Sequence, residues 1–149
     1  MASRASIAGH PIHPMLVPLP IGLFVFSLVC DLIFMGSGDP VWTTVALYTT
    51  GGGIVGAFLA AVFGLVDLLS LQPSKAKDIG VWHMVINLTV VALFVVNFFL
   101  RLGAPPGAGL PVLLSLIGVG LLGVSGWLGG EMVFVHGVAA ARERESGSR

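Results

Sequence analysis

Met15-Leu16-Val17-Pro18-Leu19-Pro20-Ile21-Gly22-Leu23-Phe24-Val25-Phe26-Ser27-Leu28-Val29-Cys30-Asp31-Leu32-Ile33-Phe34-Met35 is the stretch whose reading decides the fold. Asp31 is its one charged residue. At about 1.5 Å of rise per residue, a helix of this length crosses a hydrocarbon core of about 30 Å. The run is longer than the apolar core of a signal peptide and is followed by no small-residue cleavage site, so it is expected to persist as a span. Gly36-Ser37-Gly38-Asp39-Pro40 comes next, and its glycines and proline stop a helix.

Three further runs of the same kind follow, over residues 42–70, 79–101 and 110–138. The second carries Gly51-Gly52-Gly53 and is long enough to span with tilt or a bend. Between the second and third lies Gln72-Pro73-Ser74-Lys75-Ala76-Lys77-Asp78, the most polar internal segment, and between the third and fourth a Pro/Gly-rich loop over 103–109. The tail 139–149 carries alternating charge and reads as flexible. The expected fold is all-α: one polytopic membrane domain over 1–149, built as a four-helix transmembrane bundle.

Composition agrees with that reading. Of 149 residues 56% are hydrophobic and 9% charged, against about a quarter charged in an average soluble domain. A soluble fold of this size leaves too much of its surface outside to hide such a chain, so lipid must be its solvent. Net charge is zero and no basic face exists, so nucleic acid is not an expected partner. Cys30 is the single cysteine, cannot form an intramolecular disulfide, and reads as a packing residue.

Orientation follows from the basic residues, which stay on the cytoplasmic side of short loops. Arg4, Lys75, Lys77, Arg142, Arg144 and Arg149 fall on the face that holds both termini, and Arg101 falls on the other. The expectation is N-in/C-in, multi-pass, in a bacterial cytoplasmic (inner) membrane. Helices in lipid associate through close backbone approach, which small residues permit. Gly52, Gly56, Ala60 and Gly64 recur every fourth residue, and Gly126 and Gly130 repeat the device in the last run. Such stripes serve either a homo-oligomer seam or internal packing, and internal packing is the simpler reading.

All four histidines map to one membrane face. His10 and His13 open the first run, His83 lies about one turn into the third, and His136 falls in the last turn of the fourth. Because successive spans are antiparallel, Asp67 and Glu131 join them at the same end. Ionisable side chains at membrane depth are unfavourable unless they face the bundle interior and find partners, which marks His10, His13, Asp67, His83, Glu131 and His136 as site residues. Each has a plainer role as well. His10 and His13 flank prolines and can cap the entrance of the first helix, His83 and Asn87 can hydrogen-bond across helices, protonated His136 suits a helix C-terminus, and the two carboxylates can pair with lysines or histidines. Asp31 lies at the opposite end, where Arg101 is its expected ion-pair partner.

Three chemistries fit the cluster. Ligation of a b-type haem needs two imidazoles from different helices at equal depth, with small residues making room for the macrocycle. His83 and His136 are the first choice for this, beside Gly129 and Gly130, then His13 and His10. A transition-metal site would draw on His13, His83, His136, Glu131 and Asp67. A proton or ion relay would use the same residues without a metal. No His-Glu-x-x-His, Cys-x-x-Cys or phosphate loop is present, and Ser70 and Ser74 lack the Gly-x-Ser-x-Gly elbow of a hydrolase. Electron transfer with a redox partner protein is the work expected if haem binds. A non-enzymatic membrane component is the competing class.

Gly9-His10-Pro11-Ile12-His13-Pro14-Met15-Leu16-Val17-Pro18-Leu19-Pro20-Ile21-Gly22, Gly64-Leu65-Val66-Asp67, Trp82-His83 with Asn87, Gly126-Trp127-Leu128-Gly129-Gly130-Glu131 and Val135-His136-Gly137 together resemble the bacterial membrane family catalogued as domain of unknown function 2231. The resemblance runs from Gly9 to Gly137. It implies a four-helix membrane domain without an assigned activity. Fusion of some relatives to Rieske-type iron–sulfur modules implies a redox neighbourhood, and this chain carries the membrane domain without such a module.

Overall fold

A computed structural model describes residues 5–103, 105, 107 and 109–138. The chain begins with a hairpin, β1 (Ser6–Ile7) and β2 (His10–Pro11), in which Ser6 pairs with Pro11 and Ile7 with His10. Ala8 (φ 50°) and Gly9 (φ 81°) make its turn, both in the left-handed region that tight hairpins require. Among the described residues five helices follow: α1 (Ile12–Leu16), α2 (Pro18–Ser37), α3 (Val41–Ser70), α4 (Lys75–Gly103) and α5 (Gly109–Phe134).

Four of these units are long and apolar enough to cross a membrane: Ile12–Ser37, which joins α1 to α2, then α3, α4 and α5. Helix α3 runs unbroken through Gly51, Gly52 and Gly53. Two helix ends depart furthest from the sequence expectation, by four residues each. Helix α4 starts at Lys75, four residues before the apolar run, because Ser74 caps it: the Lys77 and Asp78 amides donate to the Ser74 carbonyl at 3.0 and 3.1 Å. The polar segment is therefore the first turn of the helix. Helix α5 stops at Phe134, not 138. Gly137 takes φ 63°, and the Gly137 and Val138 amides turn back onto the carbonyls of Val133 and Met132 at 3.2 and 2.9 Å. The expected tail, 139–149, lies outside the described residues.

The helices form two hairpins, α2 against α3 and α4 against α5, closed into a bundle by α3 against α4 and α5 back against α2. Phe24 and Phe94 stack at the centre with ring centroids 3.8 Å apart and planes 9° from parallel, and Val90 and Leu122 complete the core. Glycines admit the rings: a Cβ on Gly53 would come within 2.6 Å of Phe24, and one on Gly118 within 2.6 Å of Phe94. The stripe on α3 is thus spent on internal packing, with Gly56 against Leu19 and Pro20 and Gly64 against His13. Outward faces carry Phe26, Phe58, Trp82, Phe99 and Trp127, large apolar side chains that a bilayer solvates.

Candidate functional site

His13 sits in α1, and its position is fixed by both flanks. Its Nδ1 lies 2.8 Å from the Ala60 carbonyl of α3. The hairpin before it is pinned by the Ile12 amide donating to Ala5 O at 2.9 Å and the Ala5 amide donating to Asp67 Oδ1 at 3.2 Å. Gly64 leaves the space the ring occupies, since a Cβ there would stand 2.8 Å from His13 Nδ1.

His83 is held in the same manner by the other hairpin. Its Nδ1 lies 2.9 Å from the Ser125 carbonyl of α5 and 3.0 Å from Ser125 Oγ. Asn87, one turn further along α4, donates from Nδ2 to Ser125 Oγ at 2.6 Å and to the His83 carbonyl at 2.8 Å. Gly129 provides the room, a Cβ there falling 3.3 Å from the His83 ring.

A carbonyl oxygen only accepts, so each Nδ1 carries the proton and each Nε2 carries the lone pair. The two rings form a T-shaped edge contact, with centroids 6.5 Å apart and planes at 89°. Among the described residues neither Nε2 has a hydrogen-bond partner. Two oriented imidazoles from different spans therefore meet, each bound to backbone through Nδ1.

The other residues expected in the cluster fall into separate contacts. His10 is exposed on the hairpin, with Nδ1 3.1 Å from Ala8 O. Asp67 anchors the hairpin through Ala5, not an imidazole directly. His136 lies in the turn after α5 and not in its last helical turn, with Nε2 3.9 Å from Glu131 Oε1. Among the described residues no group of three or more His, Cys, Asp or Glu could hold a metal ion, so the five-residue set of His13, His83, His136, Glu131 and Asp67 is not assembled as a unit. His13 is the imidazole that meets His83, in the place where the sequence suggested His136. Ser125 escaped the sequence reading entirely. Its signal was its position one turn before Gly129, opposite the His83 to Asn87 turn.

At the far end a second polar cluster forms. Asp31 pairs with Arg101 as expected, at 2.6 Å, and Asn97 and Ser115 join them.

No curated protein and no solved structure matches the chain. The profile of the family described as predicted membrane protein, DUF2231, matches residues 9–142. The expected likeness is thereby established over nearly the whole chain, and this four-span bundle belongs to that family of membrane proteins of unknown function.

Proposed function

We propose that the chain holds a b-type haem between His13 and His83 and serves as an electron-transfer component of a bacterial cytoplasmic membrane, with the histidine end inside. The observation that carries this reading is the close pair of imidazoles from different spans, in T-shaped contact with 6.5 Å between centroids. His13 and His83 would be the residues to hold the group, since each ring is already bound to backbone through Nδ1 and would offer Nε2.

The donor set favours haem over a bare ion. A structural zinc site takes four protein ligands and a catalytic one three, whereas a haem brings its own equatorial nitrogens and asks the protein for axial ligands. Two imidazoles without a third ligand suit the second case. Bound there, the group would supply a one-electron couple. The protein's part is to fix both rings by their Nδ1–H bonds to Ala60 and Ser125, to seat them against Gly64 and Gly129, and to surround the site with apolar helix.

The test is a visible spectrum and metal analysis of the full chain purified in mild detergent. A Soret band is expected in the wild type, lost in His13→Ala and His83→Ala and kept in His136→Ala. A colourless, metal-free protein with full helical content overturns the proposal.

A second reading has its own support. The bond from His13 ties α1 to α3 and the bond from His83 ties α4 to α5, so the pair also works as helix latches in a non-enzymatic membrane component. In that case the alanine variants lose stability and no absorption band exists to lose.

A further inference from the structure

The two helix hairpins repeat one another contact for contact. Adding 70 to a position in the span Ile12–Ser37, or 65 to a position in α3, gives the residue that makes the same contact in the second hairpin. His13 donates from Nδ1 to the Ala60 carbonyl at 2.8 Å, and His83 donates to the Ser125 carbonyl at 2.9 Å. Gly64 and Gly129 seat these two rings, as Gly53 and Gly118 seat Phe24 and Phe94. Ser27 Oγ donates to the Ala46 carbonyl at 3.1 Å and lies 2.7 Å from Thr50 Oγ1. Its counterpart Asn97 donates to the Pro111 carbonyl at 2.9 Å and to Ser115 Oγ at 2.8 Å. Beside the stacked rings the chain itself repeats, Leu93-Phe94-Val95 answering Leu23-Phe24-Val25.

Counterparts also meet across the bundle. Among the described residues His13 touches His83 at one end, Phe24 stacks on Phe94 at the centre, and Asp31 pairs with Arg101 at the other end. A position that touches its own counterpart lies on a two-fold axis, as in the interface of a symmetric dimer. Three such pairs at three depths, on two spans that run in the same direction, set that axis along the bundle. Parallel repeats about an axis along the membrane normal are an established way of building membrane proteins.

We infer that the bundle is two copies of one two-span hairpin presenting the same face to each other, and that Asp31 and Arg101 decide which hairpin pairs with which. The inference stands apart from the haem reading. Two of the pairs on the axis are like with like, histidine with histidine and phenylalanine with phenylalanine, and such pairs suit any two hairpins of this build. The third pair differs in charge. Two first hairpins would set Asp31 against Asp31, and two second hairpins Arg101 against Arg101, each burying two like charges. Only the mixed pairing neutralises both. Specificity of this kind comes from making the wrong partner unfavourable as well as the right one favourable. The position one turn back follows the charge: Asn97 Oδ1 accepts from Arg101 Nε at 2.7 Å, whereas its counterpart beside the carboxylate is the smaller Ser27. The partner this face fits is therefore a hairpin of the same build and opposite buried charge, which within one chain is the other half.

The experiment is thermal unfolding of the full chain in mild detergent, followed by circular dichroism, for Asp31→Arg, Arg101→Asp, the exchange of both, and Ser27→Asn placed in the wild type and in the exchanged protein. Each single charge change is expected to lower the melting temperature on the order of 10 °C. The exchange is expected to recover most of that loss, because the two positions are equivalent about the axis. Ser27→Asn is expected to act with opposite sign in the two backgrounds. In the wild type it overpacks a fully buried serine and lowers the melting temperature. In the exchanged protein it stands one turn from the guanidinium, supplies the acceptor that Asn97 supplies to Arg101, and raises it. An exchanged protein no more stable than the single variants, with or without Ser27→Asn, overturns the inference, and so does a Ser27→Asn effect of the same sign in both backgrounds. The exchanged protein is read against wild type, so the outcome holds even where a single variant does not fold. No hemin is added, which keeps the result independent of the proposed cofactor.

Discussion

Arg101 grips Asp31 with both terminal nitrogens, Nη1 to Oδ1 at 2.8 Å and Nη2 to Oδ2 at 2.6 Å. Nε reaches Asn97 Oδ1 at 2.7 Å and Nη2 also donates to Ser115 Oγ at 3.2 Å, while Asn97 Nδ2 donates to the Pro111 carbonyl at 2.9 Å and to Ser115 Oγ at 2.8 Å. One guanidinium therefore joins α2, α4 and α5 at the end of the bundle opposite the histidines. The two charged side chains are 8% and 3% exposed, so the pair is sheltered from water as well as from lipid.

Breaking that pair leaves one buried charge without its partner, which in folded proteins costs about 3–5 kcal/mol. Arg101→Ala and Asp31→Ala are each expected to lower stability on that scale. The double change Asp31→Leu with Arg101→Met removes both charges and is expected to recover most of the loss. Thermal unfolding in detergent, followed by circular dichroism, reads the three variants. A double variant as weak as the singles would mean that the pair contributes through specific bonding to Asn97 and Ser115 and not through charge neutralisation.

Gly53 and Gly118 lie beneath the stacked rings of Phe24 and Phe94, each with space for no Cβ beyond 2.6 Å. Alanine at either position forces a ring off its seat, and overpacking of this kind costs about 1–3 kcal/mol. Gly120 lies on the lipid-facing side of α5 with nothing within 4 Å. There alanine is expected to be neutral or to gain up to about 1 kcal/mol from helix propensity. Melting temperatures ordered Gly120→Ala at or above wild type, with Gly53→Ala and Gly118→Ala below it, would bear this out.

What the sequence revealed follows from what lipid demands of it. A bilayer requires apolar runs of nearly fixed length, so the four spans could be read directly, and Asp31 with Arg101 could be paired because few charges were available to choose from. Helix ends were less legible. Lys75 and Lys77 look like loop by polarity, yet Ser74 caps a helix that begins with them, and His136 looks helical by its apolar neighbours until Gly137 turns the chain. The site was legible as a membrane face and not as a pairing. Which histidine meets His83 depends on the rotation of each helix about its axis, and that rotation is set by Gly64, Gly129 and the carbonyls of Ala60 and Ser125. Backbone carbonyls carry no residue-type signal at all.

Gly64 offers a way to disturb His13 without touching it. A Cβ there would lie 2.8 Å from the ring, so Gly64→Ala drives the imidazole away from the Ala60 carbonyl. Loss of an outer contact that orients a ligand typically costs 10–100-fold in affinity for the metal centre. A hemin titration of Gly64→Ala is expected to show weakening in that range with helical content retained. Binding as tight as wild type would mean that His13 has room to reseat and that its orientation is not what the bond to Ala60 secures.

His136 provides the sharpest contrast between the sequence expectation and the arrangement found. Its Nε2 is buried and, among the described residues, has no hydrogen-bond partner, since Glu131 Oε1 at 3.9 Å is an electrostatic neighbour beyond bonding distance. A buried nitrogen left unsatisfied costs about 1–3 kcal/mol. His136→Leu removes that nitrogen and keeps an apolar side chain of comparable bulk, so stability is expected to be unchanged or higher. The absorption spectrum of hemin-loaded protein is expected to match wild type, because the proposed ligands are His13 and His83. Loss of the Soret band in a stable His136→Leu protein would return His136 to the ligand set and remove His13 from it. Thermal unfolding and the spectrum, taken on the same sample, separate a ligand from a bystander.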